Sequence, residues 1–420
     1  MKTMTRYLAA AICSIGLTAT AAEFEKTDPQ SLGFSTERLE RLDALVTKKI
    51  EAGLFPGAVT MILRDGKVAH LSALGKRTPD GAPMTEDTIF RIYSMTKPIV
   101  SVMTMMLVEE GRVLLGDPVH KYLPEFKEMT VATGVAADEK IETTPAKRPM
   151  RVHDLLRHSA GLTYGFFGKG PARTALNKVN DSFRTMTNRE VSKALAALPL
   201  EHEPGTAWEY SRATDVLGAL IEVVEGAPLG KVLKGRIFEP LGMTQTAFWV
   251  ADPADHNRIA EPMPEDRKVG RFDVFDPRKR PTFESGGGGL MSTIHDYARF
   301  AQMMMNGGEF NGVRLLSPTT VRSMTADHMG EKIKPGKYFF VGDGYGFGLG
   351  FGVRRTVGVS DRIGNAGVYG WGGAAGTAYT ADPKSRTVML YMMQSPKHRG
   401  PVRRMVGNVA ASAFVGPLSD

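Results

Sequence analysis

Apolar residues recur at helical spacing through Leu39, Leu42, Leu45, Val46 and Ile50, which predicts a helix over Ser35 to Ile50. Gly57 to Leu63 is strand-like, Asp65-Gly66 marks a turn, and Val68 to Ala73 returns, so this stretch predicts a β-hairpin. The next run is apolar on nearly every side: Ile99, Val100, Val102, Met103, Met105, Met106, Leu107 and Val108, stopping at Glu109-Glu110-Gly111. A helix hydrophobic all round is a buried helix, and Gly111 suits its C-terminal cap. Ser94 and Lys97 stand three apart at its head, on one face, and would be presented from the interior into a cleft. Pro98 fits only if Ser94 lies in the opening turn, where backbone N–H groups lack partners anyway.

Further helices are expected over Asn188 to Ala197 and from Ala213 through Val216, Leu217, Leu220, Ile221 and Val224, ending at Gly226. Gly286 to Gly289 is not followed by Gly-Lys-Ser/Thr, so it is read as a close approach of backbone segments rather than a phosphate loop. Thr293-Ile294-His295-Asp296 reads as a capping box opening a helix that ends near Asn306. Gly342 to Gly352 places glycine at every second position, which predicts one strand with a bulky and a bare face. Strands are expected at Gly367 to Tyr369, Gly376 to Ala381 and Thr387 to Met393, then a helix over Val402 to Phe414. The order predicts a mixed α/β fold: one antiparallel sheet built from both chain ends, flanked by helices, with a mainly helical domain inserted. The expected division is residues 23–100 with 286–420 for the α/β domain and 101–285 for the helical one.

The chain has 420 residues, long enough for two domains. Lys2 and Arg6 precede the apolar run Leu8 to Leu17 and the small residues Thr18 to Ala22, a secretory signal peptide over residues 1–22. An exported protein, periplasmic or secreted, is expected. No other run approaches the ~18 apolar residues of a membrane span. The one cysteine, Cys13, falls inside the signal, so disulfides, cysteine nucleophiles and thiolate metal sites are excluded from the mature chain. The net charge of +8 is scattered, with Arg278-Lys279-Arg280 the densest cluster, which suits solubility rather than nucleic-acid binding. The histidines show no metal spacing, so neither a metal nor a cofactor is expected. No Gly-x-Ser-x-Gly occurs, which argues against an α/β-hydrolase elbow.

Three stretches fall in a telling order: Ser94-Met95-Thr96-Lys97 on the buried helix, Tyr210-Ser211-Arg212 at the opening of a later helix, and Trp371-Gly372-Gly373 among the late strands. With Leu155 to Leu162, Pro204-Gly205, Ile237 to Met243 and Gly286 to Thr293, they resemble the serine β-lactamase and penicillin-binding-protein superfamily. The likeness is to its class C side, and most of all to the β-lactamase-like (family VIII) carboxylesterases. It covers essentially the whole mature chain. The resemblance implies that Ser94 is the acylated nucleophile and that Lys97 with Tyr210 forms the base and proton relay. It also implies that the backbone N–H groups of Ser94 and Ala374 hold the oxyanion.

The chemistry agrees with that implication. A serine needs a base, and a lysine with a free pKa near 10.4 must be brought to about 7 to serve, a shift expected from burial and nearby cations. Two departures stand out. Arg212 replaces the asparagine of Tyr-x-Asn and is expected either to lower the pKa of Lys97 or Tyr210 or to pair with a carboxylate elsewhere. Trp371-Gly372-Gly373 replaces Lys-Thr-Gly, so the usual cation for a substrate carboxylate is missing and Trp371 offers an apolar wall. Tyr164 is a further candidate for the cleft. The competing readings make Tyr210 a packed aromatic and Trp371 a core residue. The expected activity is hydrolysis of small, short-chain carboxylic esters. The alternatives are a β-lactamase, D,D-peptidase or D-amino-acid amidase and, more remotely, a non-catalytic penicillin-recognition protein.

Overall fold

The computed structural model describes residues 24–270 and 272–419. The segment read as a signal peptide lies outside them. Helix α1 (Thr36–Glu51) begins where the Ser35 side chain accepts from the Arg38 N–H, and it buries Leu39, Leu42 and Val46. These positions, three and four apart, form one apolar stripe. Strands β1 (Gly57–Arg64) and β2 (Lys67–Gly75) make the expected hairpin. Asp65 and Gly66 adopt φ of 54° and 74° at its tip, the left-handed pair that a two-residue turn matching strand twist requires.

Helix α2 (Thr96–Glu109) is buried continuously from Thr96 to Leu107, as its all-round hydrophobicity demands. The middle of the chain supplies α3 (Val152–Leu156), α4 (Pro171–Val179), α5 (Asn188–Ala196) and α6 (Ala213–Glu225). Helix α6 ends at Gly226 with φ 69° and packs on α2, α3 and α5. Helix α7 (Ile294–Met305) is capped by Thr293, whose side chain accepts from the Asp296 N–H. The expected reciprocal half of that capping box is replaced: Asp296 turns to the Gln245 N–H and the Thr246 hydroxyl instead.

The C-terminal part contributes β3 (Tyr345–Phe347), β4 (Gly352–Arg354), β5 (Tyr369–Gly372), β6 (Ala378–Asp382), β7 (Thr387–Met393) and helix α8 (Arg399–Ala413). The glycine-alternating stretch is two strands, not one. Gly346 pairs with Val353 and Phe347 with Gly352, and the turn between them passes through Gly350 at φ 96°. A period of two is shared by one strand and by a short hairpin, and the left-handed glycine decides for the hairpin.

One antiparallel sheet results, in the order β3-β4-β5-β6-β7-β1-β2, with Met61 of β1 opposite Leu390 of β7. Both chain ends therefore build it. Helices α1 and α8 pack together on one face around Leu42, Val46, Ile62, Tyr391, Val402 and Val406. Helix α7 covers the other face, where Met61, Leu63 and Leu390 join the large core containing α2. The fold is mixed α/β. Among the described residues no helix is long and apolar enough to cross a membrane.

Candidate active site

Ser94 lies in a single tight turn, Tyr93–Met95, that leads into α2 rather than in the α-helical turn expected. Tyr93 takes φ 42°, a left-handed conformation costly for a bulky residue and one that surrounding structure must enforce. The enforcement is visible. Ile92 donates its N–H to the Leu290 carbonyl at 3.0 Å, and the Met95 carbonyl accepts from the Tyr297 hydroxyl at 2.9 Å.

Lys97 sits one helical turn on, 1% exposed. Its Nζ donates to Ser94 Oγ at 3.4 Å, to the Tyr164 hydroxyl at 3.1 Å and to the Gly287 carbonyl at 2.5 Å. It also faces the Tyr210 ring, 4.5 Å from the centroid. Tyr210 comes from the segment just before α6. His158 fixes that segment: its carbonyl accepts the Glu209 N–H at 2.8 Å, and its Nδ1 lies 3.1 Å from Ser211 Oγ. The Tyr210 hydroxyl accepts from Trp371 Nε1 at 3.2 Å, so the third motif reaches the second directly.

Gly373 explains why that motif ends in glycine. A Cβ there would stand 2.4 Å from the Ile92 carbonyl oxygen and 2.3 Å from Thr377 Oγ1. Only a bare Cα lets the end of β5 close against the turn that carries Ser94. Ala374 follows at once, and among the described residues its N–H has no hydrogen-bond acceptor. Ser94, Ala374, Tyr164, Tyr210, Arg212, Trp371, Gly372 and Gly373 all line one cavity of about 2140 Å³.

The electrostatics reverse one expectation. Burial does push the Lys97 pKa down, but the oxygens of Tyr164 and Tyr210 and the carboxylate of Asp215 outweigh it, and the net shift is upward. Lys97 is therefore a cation with three filled donor directions, not a lysine tuned to neutrality. Burial pushes the Tyr164 phenol up to about 12, against the pull of the Lys97 charge, so it is protonated at neutral pH. Burial also drives His158 well below its ordinary range, with the Lys97 charge adding to the effect, leaving a neutral imidazole. Arg212 takes the second of its two expected roles: Nη1 lies 3.3 Å from Asp215 Oδ2, and Nη2 donates to Asn180 Oδ1.

Tyr164 thus belongs to the site as a direct Lys97 partner. The contributions of Gly287 and Asp215 escaped the sequence reading. Their one trace was the Gly286 to Gly289 run, read correctly as a close approach: a Cβ on Gly286 would lie 2.6 Å from the Thr214 carbonyl oxygen.

A family model described as Beta-lactamase matches residues 42–412. Protein Rv1367c of Mycobacterium tuberculosis is 37% identical over 367 residues, 85% of this chain and 90% of its own length. Esterase EstB of Burkholderia gladioli is 30% identical over 379 residues, covering 84% of this chain and 90% of its own. The solved structure of EstCE1, a hydrolase with promiscuous acyltransferase activity, superposes with a TM-score of 0.72 at 24% identity, over 89% of this chain and 99% of that one. At that identity the likeness shows the fold alone.

Proposed function

The chain belongs to the β-lactamase family, and from that premise we propose that it is a serine hydrolase of short-chain carboxylic esters acting through an acyl-enzyme on Ser94. The observation that carries the reading is Lys97 Nζ bridging Ser94 Oγ and Tyr164 while it faces Tyr210. With Lys97 held as a cation, the group that takes the Ser94 proton is Tyr210 in its ionised form, which lies against the Lys97 ammonium and accepts the indole N–H of Trp371.

As Ser94 Oγ attacks the ester carbonyl, its proton passes to Tyr210 and the carbonyl oxygen gains negative charge between the N–H groups of Ser94 and Ala374. Donors fixed in advance at that position lower the barrier by a few kcal/mol each. The C–O bond to the alcohol then breaks and Tyr210 returns the proton to the leaving oxygen. In the second half a water molecule gives its proton to Tyr210, its oxygen bonds to the acyl carbon, and Ser94 leaves with the proton restored. Trp371, Gly372 and Gly373 with Tyr164 form the wall against which the substrate lies. The neutral Trp371 favours an ester over a substrate that needs a cation for its carboxylate. Export through the N-terminal signal remains part of this proposal.

The test is a panel of p-nitrophenyl esters, a chromogenic cephalosporin and D-alanyl peptides with the purified mature chain, alongside labelling by a fluorophosphonate. Ester turnover with labelling at Ser94 is expected. Preference for D-alanyl peptides or the cephalosporin would replace the esterase reading with one of its relatives. Failure to label would favour a non-catalytic role.

A further inference from the structure

We infer that Asp215 is a positioning residue for the reaction, acting through the backbone of Gly287 to hold Lys97 in place as the relay's fixed cation. This rests on the reading of Ser94 and Lys97 above. Asp215 stands in the first turn of α6, three residues after the N-cap Arg212, and its side chain is wholly buried. Its Oδ1 accepts the Gly287 N–H at 2.8 Å and the Ser285 hydroxyl at 2.6 Å. The Gly287 carbonyl, on the other side of the same residue, accepts from Lys97. Residues 285–287 are thus a thin strap tied to α6 at one edge and to the lysine at the other.

At Gly287 the strap has no room for a side chain. A Cβ on Gly287 would lie 2.9 Å from Asp215 Oδ2 and 2.9 Å from the Tyr164 hydroxyl. The same helix start therefore sets two relay members at once: Tyr210 through the chain just before it, and Lys97 through Asp215 and the strap. An ammonium has three donors, and here they meet Ser94, Tyr164 and Gly287. If Gly287 were untied, the third donor would lose its acceptor and the head group would be free to swing from Ser94.

The charge matters as well as the tie. Lys97 is faced by Tyr164 from the chain after α3, by the neutral His158 from the end of α3, by Tyr210 from the segment before α6, and by Asp215 from α6 itself. Arg212 lies over the Tyr164 ring, 5.3 Å from its centroid. Among the groups facing Lys97, Asp215 alone is a carboxylate, and it favours the cation.

The experiment measures fluorophosphonate labelling of Ser94, p-nitrophenyl butyrate turnover and melting temperature for wild type, Asp215→Asn and Asp215→Ala. Asparagine keeps an acceptor for Gly287 and Ser285 but removes the charge, and its kcat should stay within about fivefold of wild type. Alanine removes the tie as well, and kcat should fall about 30-fold or more with KM within about twofold. An asparagine variant that loses as much turnover as alanine, or an alanine variant with lowered melting temperature but normal turnover per folded molecule, would make Asp215 an ordinary packing residue and overturn the inference. If Asp215→Ala does not fold, Asp215→Ser, too short to reach Gly287, takes its place with the same expectation. Absence of labelling in the wild type would instead overturn the Ser94 reading, so the two failures are distinct.

Discussion

Tyr210 is gripped by groups of different kinds: the indole N–H of Trp371 at its hydroxyl, the Lys97 ammonium at its ring face, and the His158 ring 4.9 Å away. A relay residue and a packing residue predict opposite responses to loss of one oxygen. Tyr210→Phe keeps the ring contacts, so it should lower kcat by about 10²-fold or more with little change in melting temperature. Lower stability with near-normal turnover would return Tyr210 to the core. Trp371 sits where related enzymes carry a cation, and it brings no charge of its own to its hydrogen bond with Tyr210. Trp371→Phe should cost about 10-fold or more in kcat, the worth of one hydrogen bond to an ionised oxygen. Trp371→Lys should instead narrow the gap between p-nitrophenyl butyrate and benzylpenicillin, which in the wild type is expected to be at least about 10²-fold in kcat/KM. Comparable wild-type values for the two substrates would contradict the account of the missing cation.

At the level of elements, legibility followed periodicity. Helix α1 declared itself through a stripe of leucines, and α2 through the absence of any polar face. The Ser94–Lys97 pair was legible because a spacing of three has one meaning on a helix. What the sequence hid was either degenerate or remote. Glycine at every second position suits a strand and a hairpin equally, and Gly350 chose the hairpin. The charge state of Lys97 depends on Asp215 and Tyr164, which only the folded chain brings together, so burial alone pointed the wrong way. Helix α6 offers a test of its own. Gly226 takes φ 69° with no atom within 4 Å of an added Cβ, so Gly226→Ala should cost about 1 kcal/mol through backbone conformation alone.

Glu222 on the same helix is pushed up to about 7, by burial first and then by the charge of Glu284, against the Leu229 N–H that favours its ionised form. A carboxyl whose pKa rises on folding contributes stability that is complete below its unfolded value near 4.3 and is lost as pH rises to about 7. Glu222→Gln should therefore raise the melting temperature above about pH 7 and lose that advantage near pH 4. Part of the side chain reaches solvent, so the gain is screened to roughly 1 kcal/mol. Thermal melts at the two pH values check the sign.

Across the whole molecule, the sheet unites residues from both chain ends, and the site forms where three regions meet: the head of α2, the segment before α6 and the end of β5. That division of labour explains why no short stretch carries the chemistry alone. Among the described residues no cluster of three or more His, Cys, Asp or Glu has metal-binding geometry. EDTA should accordingly leave ester turnover unchanged, and loss restored by zinc or calcium would contradict a relay built only from side chains. The central claim is covalent, and mass spectrometry reads it directly. The protein is mixed with p-nitrophenyl butyrate, quenched in acid during turnover and digested. One butyryl group is expected on the peptide carrying Ser94, with no adduct and less than about a tenth of wild-type turnover in Ser94→Ala. An adduct on another residue, or a Ser94→Ala protein that still hydrolyses the ester at more than that level, would contradict the account.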